Sequence, residues 1–173
     1  MVVTGYALRN AIRRWQLRRD TAAAQFSGSL TKFEGEDKQT PDAIATEFLN
    51  AEKAIARLQA AQNEYNGRVK IVVPGMDNMT ICTAVKLVGG AARLEKMWRA
   101  VVAPIRERWE TSSVSLGTRN KTEERAAWTM STKDMADRTA KAAALTGALR
   151  SGIAEGNSIK IDIEGLDGAL LAE

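Results

Sequence analysis

The stretch from Thr40 to Asn66 constrains the fold more than any other part of the chain. Ile44, Phe48, Ala51, Ile55, Leu58, Gln62 and Tyr65 recur at alternating steps of four and three, the spacing of an apolar stripe on a helix packed against another helix. Thr40 is a good N-cap, and Pro41 at the first helical position loses only an amide that has no partner there. Gly67 is expected to stop the helix by taking the left-handed conformation at little cost. A helix this long with so narrow a seam belongs in a hairpin or a bundle.

The remaining chain can be placed around it. A helix is expected over about 6–26, with Leu8, Ala11, Ile12, Trp15, Ala22 and Phe26 on one face. Arg9, Arg13, Arg14 and Arg18 spread over the other side, while Arg19 falls in the apolar sector, where its stem can pack and its head reach water. A Gly- and Ser-punctuated excursion follows, then the helix of 41–66, then a β-prone run at 68–73 closed by Pro74 and Gly75. Thr80 opens a helix expected over 81–103, with Gly89 and Gly90 allowing a close helix contact or a bend and Pro104 kinking or ending it. This helix is the natural antiparallel partner of 41–66. Residues 112–128 are polar and read as a hairpin or surface loop, and Ser131 with Asp134 caps a helix over 132–155. In 158–164, Ile159, Ile161 and Ile163 alternate with charged residues, the period of a half-buried edge strand. The pattern predicts a mainly α single domain over 1–173, an antiparallel helical hairpin or four-helix bundle with a small β excursion and a C-terminal edge strand.

Composition narrows the chemistry. The 173 residues are 45% hydrophobic, enough for one core. Histidine is absent and Cys82 is the single cysteine, so neither a Cys/His zinc site nor a histidine-based triad can be built. Without a base, Cys82 reads as a small apolar residue near the start of a packed helix. Glu34, Glu36 and Asp37 lie close enough to offer oxygen ligands to a divalent cation, but they lack the spacing of a calcium loop, and such a turn is ordinarily only solvated. No cofactor and no catalytic set is expected. No phosphate-cradling loop is present either, since VPGMDNMT lacks the Walker lysine.

Binding readings remain. The net charge of +4 arises from 25 cations against 21 anions, a mixture typical of a solvated surface. Local clustering of Arg9, Arg13, Arg14 and Arg18 beside Trp15 gives a nucleic-acid alternative, opposed by the wide angular spread of the arginines. Trp109 and Trp128 bracket the polar excursion and, with Ile159, Ile161 and Ile163, are the candidates for a subunit contact. Asn63 and Asn66 are placed to anchor the turn after their helix. No apolar run reaches the ~20 residues of a membrane span, and the first residues lack the order of a signal peptide, so the expected location is cytoplasmic or particle-associated.

Several short motifs carry a family resemblance. Glu34-Gly35-Glu36 precedes a Pro-containing helix start, and LQAAQNEYN keeps Leu58, Asn63 and Asn66 of the pattern L-x-x-x-I-N-x-T-N, with Gln62 and Tyr65 in place of Ile and Thr. TICTAV stands where T-L-T-E-A-L is usual, and Ile153 to Asn157 looks like an I-Q-x-x-N ending. On these residues the chain resembles the septicolysin-like family of small bacterial helical proteins. It departs from it at Lys86 and Leu87, where an Arg-Asp pair is usual, and at Ser158, where a Trp is. The resemblance implies a long helical hairpin with β excursions that forms oligomers, and the cytolysin attributed to the family makes a membrane-active protein the rival reading. The expected function is a non-enzymatic, self-associating structural protein of a homo-oligomeric assembly or phage-like particle.

Overall fold

A computed structural model of the protein describes residues 1–31, 34–111 and 129–172, with 103–111 described by their helical backbone alone. The order is β1 (Val2–Val3), α1 (Gly5–Ser29), α2 (Pro41–Arg68), β2 (Lys70–Ile71), β3 (Met79–Thr80), α3 (Ile81–Thr111), α4 (Thr132–Gly156), β4 (Ile161–Asp162) and a short 3-10 turn at Gly168–Leu170. The expected mainly α architecture is therefore present, with two small antiparallel strand pairs among the described residues.

Short polar side chains start the helices. Thr4 accepts from the Ala7 amide at 3.1 Å, Thr40 from Ala43 at 3.2 Å, Thr80 from Thr83 at 3.2 Å and Ser131 from Asp134 at 3.1 Å, each satisfying an amide that the first turn leaves open. The Ser131 hydroxyl also donates to Asp134 Oδ2 at 2.7 Å, the predicted reciprocal cap. Two ends differ from expectation. Gly67 does not stop α2, which runs through it to Arg68; Val69 leaves in extended conformation while its amide still bonds to Tyr65 O. Pro104 does not end α3, which continues to Thr111.

The helices form two antiparallel hairpins, paired otherwise than the sequence suggests. Gly5 meets Tyr65, Arg19 meets Glu52 and Phe26 lies near Ile44, so α1 runs antiparallel along α2. Ile81 meets Gly156 and Trp98 lies under Arg138, so α3 runs antiparallel along α4. The expected α2–α3 hairpin is not formed, and those two helices touch only sparsely. The reason lies in the connector: β2 and β3 pair as Lys70↔Thr80 and Ile71↔Met79, and Ile71 and Val73 then pack on Gly152 and Gly156 of α4. The excursion between α2 and α3 therefore seats on α4.

The largest buried side chains, among them Leu8, Leu58, Tyr65, Ile81, Leu149 and Ile163, gather where the two hairpins meet. Away from this base the first hairpin buries Ala22, Ile44, Ala51, Ala54 and Ile55, and the second Met135 and Ala142, so alanines alternate with a few larger side chains. Small side chains let the helix axes approach closely and leave little apolar area to cover. Ala54 and Ala61 also widen the seam of α2 beyond the single line read from its sequence.

At the N-terminus, β1 pairs with β4 as Val2↔Asp162 and Val3↔Ile161. The outer edge of β4 is partly closed as well, because Arg68 donates to Asp162 O at 2.7 Å.

Candidate interaction surfaces

Three elements converge at the base through backbone and small side chains. The buried Tyr65 hydroxyl lies 2.7 Å from Gly156 O at the end of α4 and 2.6 Å from Ile159 O just beyond it, sharing its proton between the two carbonyls. The Tyr6 amide donates to Asn157 O at 3.2 Å, and Asn157 Nδ2 donates to Ile153 O at 2.8 Å. A Cβ at Gly5 would collide with Asn157 Oδ1 and stand 2.8 Å from the Tyr65 ring. At Gly156 it would stand 2.6 Å from Ile71 Cγ2. Burial pushes the Tyr65 phenol above its ordinary range, with a backbone hydrogen bond at Gly5 pulling the other way. This cluster fixes how the hairpins join and presents no reactive group to solvent.

The outward faces of the hairpins differ from the base. On α3, Leu87, Leu94, Met97 and Val101 are 39%, 43%, 66% and 37% exposed. With Gly90 they recur at three- and four-residue steps, the period of a helix-pairing seam. Helical geometry places Lys86 and Arg93 along one side of this seam. On the other side, Arg138 of α4 lies 5.5 Å from the centre of the Trp98 ring. Glu95 is held by Arg99 at 2.7 Å.

The first hairpin carries a recess of about 450 Å³ near its tip, walled by Ala22, Ala23 and Phe26 of α1 and by Ile44, Ala45, Phe48 and Leu49 of α2. Phe26 is 41% and Leu49 56% exposed. Toward the base, Arg19 bridges Asp20 at 2.7 Å and Glu52 at 3.3 Å. The expectation that its head merely reaches water is thus replaced by a two-carboxylate clamp, which also raises its pKa, chiefly through the hydrogen bond to Asp20.

The residues singled out from sequence fall in several places. Arg9 and Arg13 are exposed one helical turn apart. Arg14 instead donates to Leu171 O at 2.8 Å, Trp15 Nε1 to Leu170 O at 3.1 Å, and Arg18 stacks 4.8 Å from the centre of the Trp15 ring. Half of the predicted basic cluster thus tethers or flanks the C-terminal segment. Glu36 pairs with Lys38 at 3.0 Å, and among the described residues Glu34, Glu36 and Asp37 do not form a group able to hold a metal ion. Ile163 is buried in the core, Ile161 is half-buried and Ile159 is 43% exposed. Trp128 and the β-prone reading of 112–128 lie outside the described residues, as does the Trp109 side chain.

Other assignments change. Cys82 is exposed, not packed. A Cβ at Gly90 would meet nothing within 4 Å and one at Gly89 only Arg93 Nη1 at 3.6 Å, so the close contacts expected there occur at Gly5 and Gly156, where no periodicity marks them. Asn66 accepts from Gln62 at 3.0 Å and Asn63 is exposed, so the turn after α2 is not anchored by their side chains. Among the described residues no helix is long and apolar enough to cross a membrane.

No protein-family model matches the chain, and no curated protein matches it. It is similar to a solved structure described as that of a functionally unknown conserved protein from Corynebacterium diphtheriae. The two share 15% identity with a TM-score of 0.63, over 94% of this chain and 100% of the other, a likeness of fold alone.

Proposed function

We propose that the protein is a non-enzymatic, self-associating helical component of a homo-oligomeric assembly. The observation that carries this reading is the row of large apolar side chains left in solvent on α3, with Leu94, Met97 and Val101 at seam spacing. A monomer gains nothing from such a row, whereas a packed partner removes its area from water at roughly 25 cal/mol per Å². The recess on the first hairpin supports the same reading, since Phe26 and Leu49 line it and remain partly exposed.

Sedimentation velocity or light scattering at tens of micromolar tests it. Species larger than a monomer are expected, and a strict monomer at that concentration would sink the reading.

A further inference from the structure

We propose that residues 166–172 are a releasable strap, which hinges at Gly165 and leaves α1 as a unit while the two hairpins and the β1–β4 pair stay folded. The chain is firmly held just before this segment. Ile163 is 2% exposed, and its amide donates to Met1 O at 2.9 Å. Glu164 follows, and then Gly165 with a φ of +70°, a conformation that a side chain would strain. The anchored part of the chain thus ends at a residue with wide backbone freedom.

Beyond Gly165 the backbone hydrogen bonds are local. The Leu170 amide donates to Asp167 O at 3.1 Å, and those of Leu171 and Ala172 donate to Gly168 O at 3.0 and 3.2 Å. Asp167 Oδ1 accepts from the Ala169 amide at 2.9 Å. Among the described residues no backbone hydrogen bond joins 166–172 to the rest of the chain. Its polar hold comes from one turn of α1, where Trp15 Nε1 donates to Leu170 O at 3.1 Å and Arg14 to Leu171 O at 2.8 Å. Leu166, Leu170 and Leu171 add half-buried contacts with the core. On the other flank a recess of about 540 Å³ opens between the segment and Arg57, Ala60 and Glu64 of α2, so the contact there is incomplete. Water can replace the Trp15 and Arg14 donors, and half-buried leucines gain little by staying docked, so this end has the marks of a low-stability unit. Pulling out Ile163 would instead open the core. Release therefore stops at Gly165 and frees the Trp15 and Arg14 donors on α1.

Native-state amide hydrogen exchange on the full chain, read against low concentrations of urea, tests this. A turn as short as 168–170 does not hold by itself in water, so the Leu170, Leu171 and Ala172 amides exchange each time the strap leaves α1. The three are expected to share one opening that urea barely changes, while the Ile163 amide exchanges far more slowly and accelerates with urea as global unfolding does. Arg14→Gln and Trp15→Phe each remove a donor to the strap. Each should speed exchange of the three amides by about threefold to tenfold relative to the Ile163 amide. Exchange of the three at the Ile163 rate would overturn the proposal, since the segment would then belong to the global unit. Exchange at the rate of an unstructured chain would overturn it as well, because no docked strap would exist. The same holds if both variants leave the ratio unchanged.

Discussion

The Tyr65 hydroxyl reaches Gly156 O at 2.7 Å across 91 positions of sequence, tying the end of α2 to the end of α4. It satisfies two carbonyls at once and fills the space beside Gly5, so the first hairpin cannot shift against the second without unpairing them. Tyr65→Phe keeps the ring and removes the hydroxyl. It is expected to cost about 1–3 kcal/mol, the usual penalty for leaving buried polar groups without a partner, measured by urea unfolding.

The same phenol sets an alkaline limit. Its folded pKa lies above the unfolded value of about 10, so its contribution is fully present below that pH and is lost as pH rises through the folded pKa. Wild-type stability should therefore fall more steeply than that of Tyr65→Phe above pH ~10. In an absorbance titration the Tyr65 phenol should ionise above its ordinary value of about 10.

Glycines in helices should sort by what surrounds them. Gly156→Ala drives a Cβ against Ile71 Cγ2, a β-branched atom with little freedom, and against Ile81 Cδ1 at 2.9 Å. Overpacking of this kind costs about 1–3 kcal/mol and outweighs the better helix propensity of alanine. Gly90→Ala meets nothing and should stabilise by up to about 1 kcal/mol. Opposite shifts in thermal midpoint are the expected result.

Gln62 stands in the otherwise apolar stripe of α2, and its Oε1 is buried with no hydrogen-bond partner. Gln62→Leu removes that orphan and should raise stability by about 1 kcal/mol despite loss of the bond to Asn66, an upward shift of roughly 2–4 °C in Tm for a domain of this size. A lowered Tm would show that the Asn66 bond dominates.

Asp162 bonds to the ammonium of Met1 at 2.6 Å, and that hydrogen bond and charge hold its carboxyl below the usual range. A depressed folded pKa means that the contribution is present above the unfolded value of about 3.9 and is lost as pH falls through the folded one. The urea midpoints of wild type and Asp162→Asn should differ at pH 6 and converge once the pH drops below the folded pKa of Asp162. Because the carboxylate is exposed, the difference should also shrink as salt is added.

Helix existence was legible because it depends on local spacing and caps: Thr40, Thr80 and Ser131 each cap the helix they were expected to open. The short strands were only half legible. Lys70–Ile71 lies in a β-prone run, but Val2–Val3 is too short to carry a period and becomes a strand only because Ile161–Asp162 lies beside it. The candidate surfaces were the least legible. A row such as Leu87, Leu94, Met97 and Val101 has core spacing, and sequence cannot say that the core lies on the adjacent face through Ala84 and Ala91.

What the sequence by itself determined is the set of helices, the N-caps Thr40, Thr80 and Ser131 and the apolar face of α2, since these follow from interactions within a few residues of the chain. What only the tertiary structure decided is the partner of each helix. That choice depends on side chains far apart in sequence, on Tyr65 reaching Gly156 and on Ile71 filling the space that Gly152 and Gly156 leave open. By pairing α1 with α2 and α3 with α4, those contacts also determine which apolar faces remain in solvent.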